Sequence, residues 1–219
     1  DPLSDMKINV IGTLNVLKGA IDAGTKNFVY VTSGGAMYDI NQNLPIPETG
    51  RADPISPYGI SKSAGEDYVR ILCTKHDINW TSLALSNCYG PVSDHKVGVI
   101  YEFWKGIVSG QKTKLNGEKT TRDFIYIDDV LEAIKKAMIK PTNCRVNIST
   151  SVETSLSELF EMCKKVLKNE DCMADICQLD FGEISRSALD NSLAKELLNW
   201  APKTNVFEGL EKAFNLHDD

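Results

Sequence analysis

The chain has 219 residues, 42% hydrophobic and 25% charged, with a formal net charge of −6. This is ordinary globular composition, enough for one domain or one and a half around a real core. Acids and bases are mixed without a basic stripe, no apolar run nears membrane-spanning length, and the first residues show no signal-peptide pattern, so nucleic-acid and membrane partners are not expected and a cytoplasmic protein is. Six cysteines (Cys73, Cys88, Cys144, Cys163, Cys172, Cys177) lack paired metal-ligand spacing, and His76, His95 and His217 are far apart, so reduced thiols and no metal are expected.

Residues 3–23 read as a long helix. Val10, Leu14, Leu17 and Ile21 form its apolar stripe, while Ile8 and Ile11 lie off it, so a second side is expected to be covered as well. Gly24 is the stop signal. Residues 27–33, Asn-Phe-Val-Tyr-Val-Thr-Ser, have the β-rich character of a buried parallel strand and end in a glycine-loosened turn, Gly34-Gly35-Ala36-Met37-Tyr38. A loop with Pro45, Pro47, Pro54 and Pro57 leads to a helix over residues 58–76. Residues 81–86 read as a second strand, followed by Asn87-Cys88-Tyr89-Gly90-Pro91. A helix at 99–109, a turn-rich segment and a strand at 123–127 come next, with Asp128 as the expected N-cap of a helix over 129–139. Residues 146–148 are a further strand. Ser155 or Ser157 opens a helix ending near Leu167, and helices are expected at 192–198 and 207–214. Alternating strands and helices argue for an α/β fold around a parallel sheet.

The stretch Ser56-Pro57-Tyr58-Gly59-Ile60-Ser61-Lys62 carries the chemistry. Tyr58 and Lys62, four residues apart at a helix start, project from one face. A tyrosine titrates near pH 10, so acting as a base at neutral pH needs a shift of roughly three units, about 4 kcal/mol. One positive charge at about 4 Å, at an effective dielectric near 20, supplies on the order of 4 kcal/mol. Lys62 is therefore sufficient if its charge bears on the phenol.

Six pieces in order resemble the extended short-chain dehydrogenase/reductases, specifically the NAD-dependent nucleotide-sugar epimerases and dehydratases. They are Asn9-Val10-Ile11-Gly12-Thr13, Thr32-Ser33-Gly34-Gly35-Ala36-Met37-Tyr38, Ser56 to Lys62, Asn87 to Pro91, Arg122-Asp123-Phe124-Ile125-Tyr126-Ile127-Asp128-Asp129, and Leu189-Asp190-Asn191-Ser192 leading to Leu197-Leu198-Asn199-Trp200-Ala201-Pro202. The resemblance implies a Rossmann-like parallel sheet, truncated here, plus a small C-terminal α/β portion for substrate. Residues 1–91 and 123–150 fall to the NAD-binding remnant, and 92–122 and 151–219 to the substrate domain. It further implies catalysis by Tyr58, Lys62 and Ser33, with Tyr58, Lys62, Asn9 and Thr32 toward NAD. Asn87, Arg122, Leu115, Asn116 and Gly117 fall toward a UDP-hexose, which a 4-epimerase oxidises and re-reduces. The residues themselves leave Asn87 open as a loop-capping amide and Arg122 as an ion pair with Asp123 or Asp128.

Four departures qualify this. The usual catalytic hydroxyl lies one position later, at Gly34. Dehydratases carry Asp-Glu where Gly35 and Ala36 stand, which argues for epimerisation or carbonyl reduction. A second phosphate-binding arginine would precede Gly182-Glu183, where Asp180 stands with Arg186 nearby. None of the 15 glycines makes the family's G-x-x-G-x-x-G phosphate loop. The chain is therefore expected to be the C-terminal portion of such an epimerase, inactive alone and weak for NAD. A non-catalytic nucleotide-sugar-binding module and an NAD(P)-dependent reductase are the alternatives. The family also implies a homodimer through the 3–23 and 58–76 helices, with Ile60, Ala64, Tyr68 and Ile71 as the contact stripe.

Overall fold

In the computed structural model, which describes residues 1–39, 41–92, 98–117, 119–179 and 184–215, the chain opens with one helical run over residues 2–22. It consists of α1 (Pro2–Asp5), a π-helical stretch (Met6–Gly12) and α2 (Thr13–Asp22). Pro2 suits the first turn because its missing N–H would have had no helical partner. The apolar stripe faces inward, with Leu17 fully buried and Val10, Leu14 and Ile21 partly so. Within the chain the expected cover on the second side is not there: Leu3, Met6, Ile8, Ile11 and Val16 are exposed, while the inward side packs on a neighbouring helix and on the sheet.

The central sheet is parallel, in the order β1 (Asn27–Ser33), β2 (Asn79–Leu85), β7 (Arg145–Ile148). Its register aligns Ser33, Leu85 and Ile148 at one end. Between β1 and β2 come α3 (Gly34–Met37) and α4 (Pro57–Lys75). The remaining elements are β3 (Asn87–Tyr89), α5 (Val99–Ser109), β4 (Thr113–Asn116), β5 (Thr121–Arg122), β6 (Phe124–Tyr126) and α6 (Ile127–Ile139). After β7 follow β8 (Thr154–Ser155), α7 (Leu156–Val166), β9 (Ala174–Cys177), α8 (Ser192–Leu198) and α9 (Val206–Asn215).

Alternation along the strands divides the core in two. Tyr30 and Trp80 face α2 and α4 with Leu17, Val69 and Cys73. Leu83, Val146 and Ile148 face Val130 and Ala133 of α6, Leu198 of α8, and Trp200. Trp200 is pinned further because its Nε1 donates to the Asp129 carbonyl at 2.9 Å. The α4 side also holds a buried ion pair: Arg145 Nε donates to Glu66 at 2.7 Å, and Ser82 Oγ donates to the other carboxylate oxygen at 2.9 Å. A third cluster unites Phe103 and Ile107 of α5 and Leu159 and Phe160 of α7 with Leu210 of α9, over Tyr89, Phe124 and Tyr126 of the β3–β6 pair.

Several boundaries shift for identifiable reasons. Helix α6 begins at Ile127 with extended Tyr126 as its cap, so Asp128 is not the N-cap. Asp128 and Asp129 sit in the first turn, where the helix dipole favours anions. The Asp129 carboxylate accepts instead from Lys203 N and Thr204 N, each at 3.1 Å. Ser155 opens α7 through a capping box with Glu158. The turn-rich stretch before Asp123 contains β4 and β5, whose partners β9 and β8 lie far ahead in sequence.

Asp123 stands where these parts meet and is fully buried. Its Oδ1 accepts from Ser86 Oγ (3.2 Å), Thr150 N (2.9 Å) and Thr150 Oγ1 (2.7 Å). Its Oδ2 accepts from Ser151 N (3.0 Å) and Leu189 N (3.4 Å). Asp123→Asn keeps the size but turns an amide against donors, so a loss of about 3 kcal/mol or more is expected in denaturant unfolding. A variant as stable as the parent would show that these bonds hold nothing.

Candidate functional site

Ser33 ends β1 and opens α3, which turns the chain over the C-terminal ends of the strands. Tyr58 comes to the same place on the first turn of α4. The helix starts there because Ser56 Oγ accepts from Gly59 N at 3.1 Å and Pro57 takes the first helical position. Gly59 is required by closeness: a Cβ there would overlap the Ala36 carbonyl and lie 2.9 Å from Pro54 Cβ. At Gly34 a Cβ would strike the Leu189 side chain, so that position faces packing, not open space. The hydroxyl that shares a cavity wall with Tyr58 and lowers its pKa is that of Ser33.

Ser33, Gly35, Tyr58, Ser86, Asn87 and Arg122 line a cavity of about 280 Å³, together with Ala36 and Ile184. Asn87 and Arg122 also line a second cavity of about 680 Å³ with Glu102, Lys105, Lys112, Lys114 and Asn116. The two spaces therefore share a wall. Asn87 is delivered by β3, whose backbone N–H donates to the Asp123 carbonyl at 2.8 Å, and Arg122 by β5. Arg122 Nη1 donates to the Thr121 carbonyl at 2.8 Å and to the Ser185 carbonyl at 3.5 Å.

Tyr58 and Lys62 share a helix face as their spacing predicts, but their electrostatics differ from the sequence expectation. Lys62 Nζ donates to the Val31 carbonyl at 3.0 Å and lies 5.5 Å from the centre of the Tyr30 ring. Burial pushes the Lys62 ammonium down. The Tyr58 phenol is raised by burial, pulled back by a hydrogen bond from Ser33, and raised again by the charge of Asp5. The lowering expected from Lys62 is not found in this geometry, because the sheet-edge carbonyl holds the ammonium.

The other expected residues divide. Asn116 faces the larger cavity, whereas Leu115 is buried in the α5–α7 core and Gly117 makes a turn at φ +77°. Leu115 thus offers only backbone. Asn9 Nδ2 donates to Ser61 Oγ at 3.0 Å, tying the first helix to α4, and Thr32 is buried with its Oγ1 on Met37 Sδ at 2.9 Å. Asp180, Gly182 and Glu183, and likewise His95 and His217, lie outside the described residues. Arg186 forks onto Glu153. Sequence reasoning missed Ser86, Glu102, Lys105 and Lys112, which carry no motif.

This arrangement has close counterparts. The model of the GDP-mannose 4,6 dehydratase family matches residues 1–213. UDP-glucose 4-epimerase of Mycolicibacterium smegmatis is 33% identical over 216 residues, covering 97% of this chain and 69% of that protein. A putative UDP-glucose 4-epimerase of Methanocaldococcus jannaschii is 35% identical over 221 residues, covering 98% and 70%. The crystal structure of Thermotoga maritima UDP-glucose 4-epimerase with UDP-glucose superposes with a TM-score of 0.92 at 35% identity, over 97% of this chain and 70% of that one. The Thermus thermophilus UDP-glucose 4-epimerase complex with NAD gives 0.89 at 27% identity, again over 97% and 70%. The chain therefore belongs to the GDP-mannose 4,6-dehydratase family of NAD-dependent extended short-chain dehydrogenase/reductases, as a relative of the UDP-glucose 4-epimerases.

Proposed function

We propose that this chain carries the reaction centre and nucleotide-sugar site of an NAD-dependent UDP-hexose 4-epimerase. Residues 1–91 and 123–150 belong on this reading to the NAD-binding portion, and 92–122 and 151–219 to the substrate portion. The supporting observation is the convergence of Ser33, Tyr58, Asn87 and Arg122 on one cavity that shares its Asn87–Arg122 wall with a larger, lysine-rich one. A diphosphate at that wall meets the planar fork of Arg122. The nucleoside extends toward Asn116 and the neighbouring backbone, and the hexose lies between Ser33 and Tyr58.

The residues fit the nicotinamide end of NAD: a phenol and a half-buried ammonium stand one helical turn apart beside the C-terminal ends of parallel strands, with Asn9 supporting α4 through Ser61 and Thr32 buried against Met37. NAD, when bound, supplies the acceptor and donor for hydride. Tyr58 Oη takes the proton of the sugar hydroxyl and returns it, Ser33 orients that hydroxyl, and Lys62 holds the ribose and favours the phenolate. Gly35 and Ala36 have no acid or base with which to eliminate water, which supports epimerisation over dehydration. The glycine pattern of the phosphate loop is absent from these 219 residues, so this length of chain alone is expected to bind NAD weakly and not to turn over. The six cysteines, all free thiols in the structure, fit a cytoplasmic setting.

In a form that also carries a glycine-rich loop, UDP-glucose and UDP-galactose interconvert. There Tyr58→Phe lowers turnover about 10²-fold or more while UDP affinity, read by calorimetry, stays within about twofold. An unchanged rate removes Tyr58 from the mechanism. The base must be ionised and burial raises its pKa, so turnover rises with pH as the phenol ionises. Lys62→Met removes a charge that favours the phenolate and moves this rise to higher pH. A pH–rate profile with the same midpoint in both proteins would discard the electrostatic role of Lys62.

The exposed apolar residues Leu3, Ile8 and Ile11 on the first helix, and Ile60, Tyr68 and Ile71 on α4, support a homodimer through the 3–23 and 58–76 helices. Light scattering at micromolar concentration is expected to give twice the chain mass, and a well-behaved monomer contradicts the assignment.

A further inference from the structure

Glu153 stands directly before β8, which pairs antiparallel with β5. Its Oε1 accepts from Arg186 Nη2 at 2.6 Å, and its Oε2 accepts from Arg186 Nε at 2.9 Å and from Thr121 Oγ1 at 2.6 Å. Thr121 N donates to the Ser185 carbonyl at 2.9 Å, and the same carbonyl, together with that of Thr121, receives Arg122 Nη1. One carboxylate thus joins β5, β8 and the Ser185–Arg186 segment into the platform beneath the Arg122 guanidinium. The strands hold each other only briefly: Thr121 pairs with Ser155 and Arg122 with Thr154, extended by one further backbone bond from Leu156 N to the Thr120 carbonyl, too short to be stable without support.

We propose that Glu153 is a positioning residue which, through Arg186 and Thr121, holds the two carbonyls that aim Arg122 at the diphosphate of the nucleotide sugar. This rests on the role given to Arg122 above. Arg186 is then a strut, its fork filled by the Glu153 carboxylate, and not a second phosphate ligand.

Neutralising Glu153 has two consequences of opposite sign. As a bare anion near a diphosphate it repels the ligand, so its removal by electrostatics alone tightens binding. As the anchor of the platform it keeps Arg122 in place, so its removal weakens binding. The sign of the change separates a positioning role from a bystander charge.

The test titrates the full chain with UDP by calorimetry and follows melting in parallel. Glu153→Gln is expected to weaken UDP binding roughly tenfold while lowering the melting temperature by only a few degrees. Arg122→Ala weakens binding at least as much. In the Arg122→Ala background Glu153→Gln then adds no further loss, because an effect exerted through Arg122 disappears with it. Should Glu153→Gln fail to fold, Arg186→Lys, which keeps the charge but cannot fork, takes its place in the same cycle with the same expected pattern. Tighter or unchanged UDP binding in the single variant, or losses that simply add in the double variant, overturn the positioning role and leave Arg122 as a ligand. UDP binding indifferent to Arg122→Ala overturns the role of Arg122 and the positioning role with it.

Discussion

The buried carboxylate of Asp123 is the constraint on which the remaining geometry depends. Burial pushes its carboxyl up, and hydrogen bonds from Thr150, Leu189 and Ser86 pull against that. A carboxylate taken out of water is tolerable only when its lone pairs are met, and both oxygens here have at least two donors. The donors come from the end of β2, the turn after β7 and the segment before α8, so a local electrostatic requirement fixes three distant parts of the chain. Leu189, held by its N–H, is the side chain that fills the space beside Gly34. The neighbours of Asp123 in sequence and space, Arg122 and Ser86, are walls of the smaller cavity.

The two cavities meet where the two kinds of core meet. The sheet packs helices on both faces in the manner of a doubly wound fold, while α5, α7 and α9 build a separate aromatic-rich cluster over the β3–β6 pair. Tyr58 and Ser33 come from the first, and Asn116 and the lysines from the second. Asn87 and Arg122, on short strands at the seam, belong to both spaces. On the proposed function, a ligand with a sugar at one end and a nucleoside at the other spans this seam with its charged middle at the arginine.

Much of this was legible in the sequence because it rests on local rules. Period and composition located β1, β2, β7 and the longer helices, whereas the short α3 stands where a glycine-loosened turn was expected, and of the two serines offered for the start of α7 it is Ser155 that caps it, through its box with Glu158. What was not legible depends on partners remote in the chain. Strands of two to four residues such as β4, β5, β8 and β9 have no periodicity of their own and exist because of their pairings. Leu115 and Asn116 are adjacent in sequence yet face a core and a cavity, a division set by strand alternation that a motif cannot register. The same holds for Arg186, which stands near the expected phosphate site in sequence while its fork lies on Glu153.

The disagreement over Tyr58 and Lys62 follows from the difference between spacing and direction. Four residues of separation put two side chains on one face, but a lysine stem is long and turns its ammonium toward whichever acceptor is nearest. Here that acceptor is the Val31 carbonyl on the outer strand, so the phenol keeps a pKa raised by partial desolvation although the tyrosine as a whole is exposed. The relative magnitudes show why this arrangement still suits a base. A hydrogen bond from an ammonium to a strand-edge carbonyl is worth about 1.5–3 kcal/mol net, because the donor is charged. The attraction of an ammonium for a phenolate at about 4 Å is on the order of 4 kcal/mol at an effective dielectric near 20. On the proposed mechanism Lys62 therefore has a modest hold to release and a larger interaction to gain once the phenolate forms, so the lysine stabilises the ionised state more than the resting one. Interaction made preferentially with the charge that develops during reaction is the kind that raises a rate rather than merely tightening a complex.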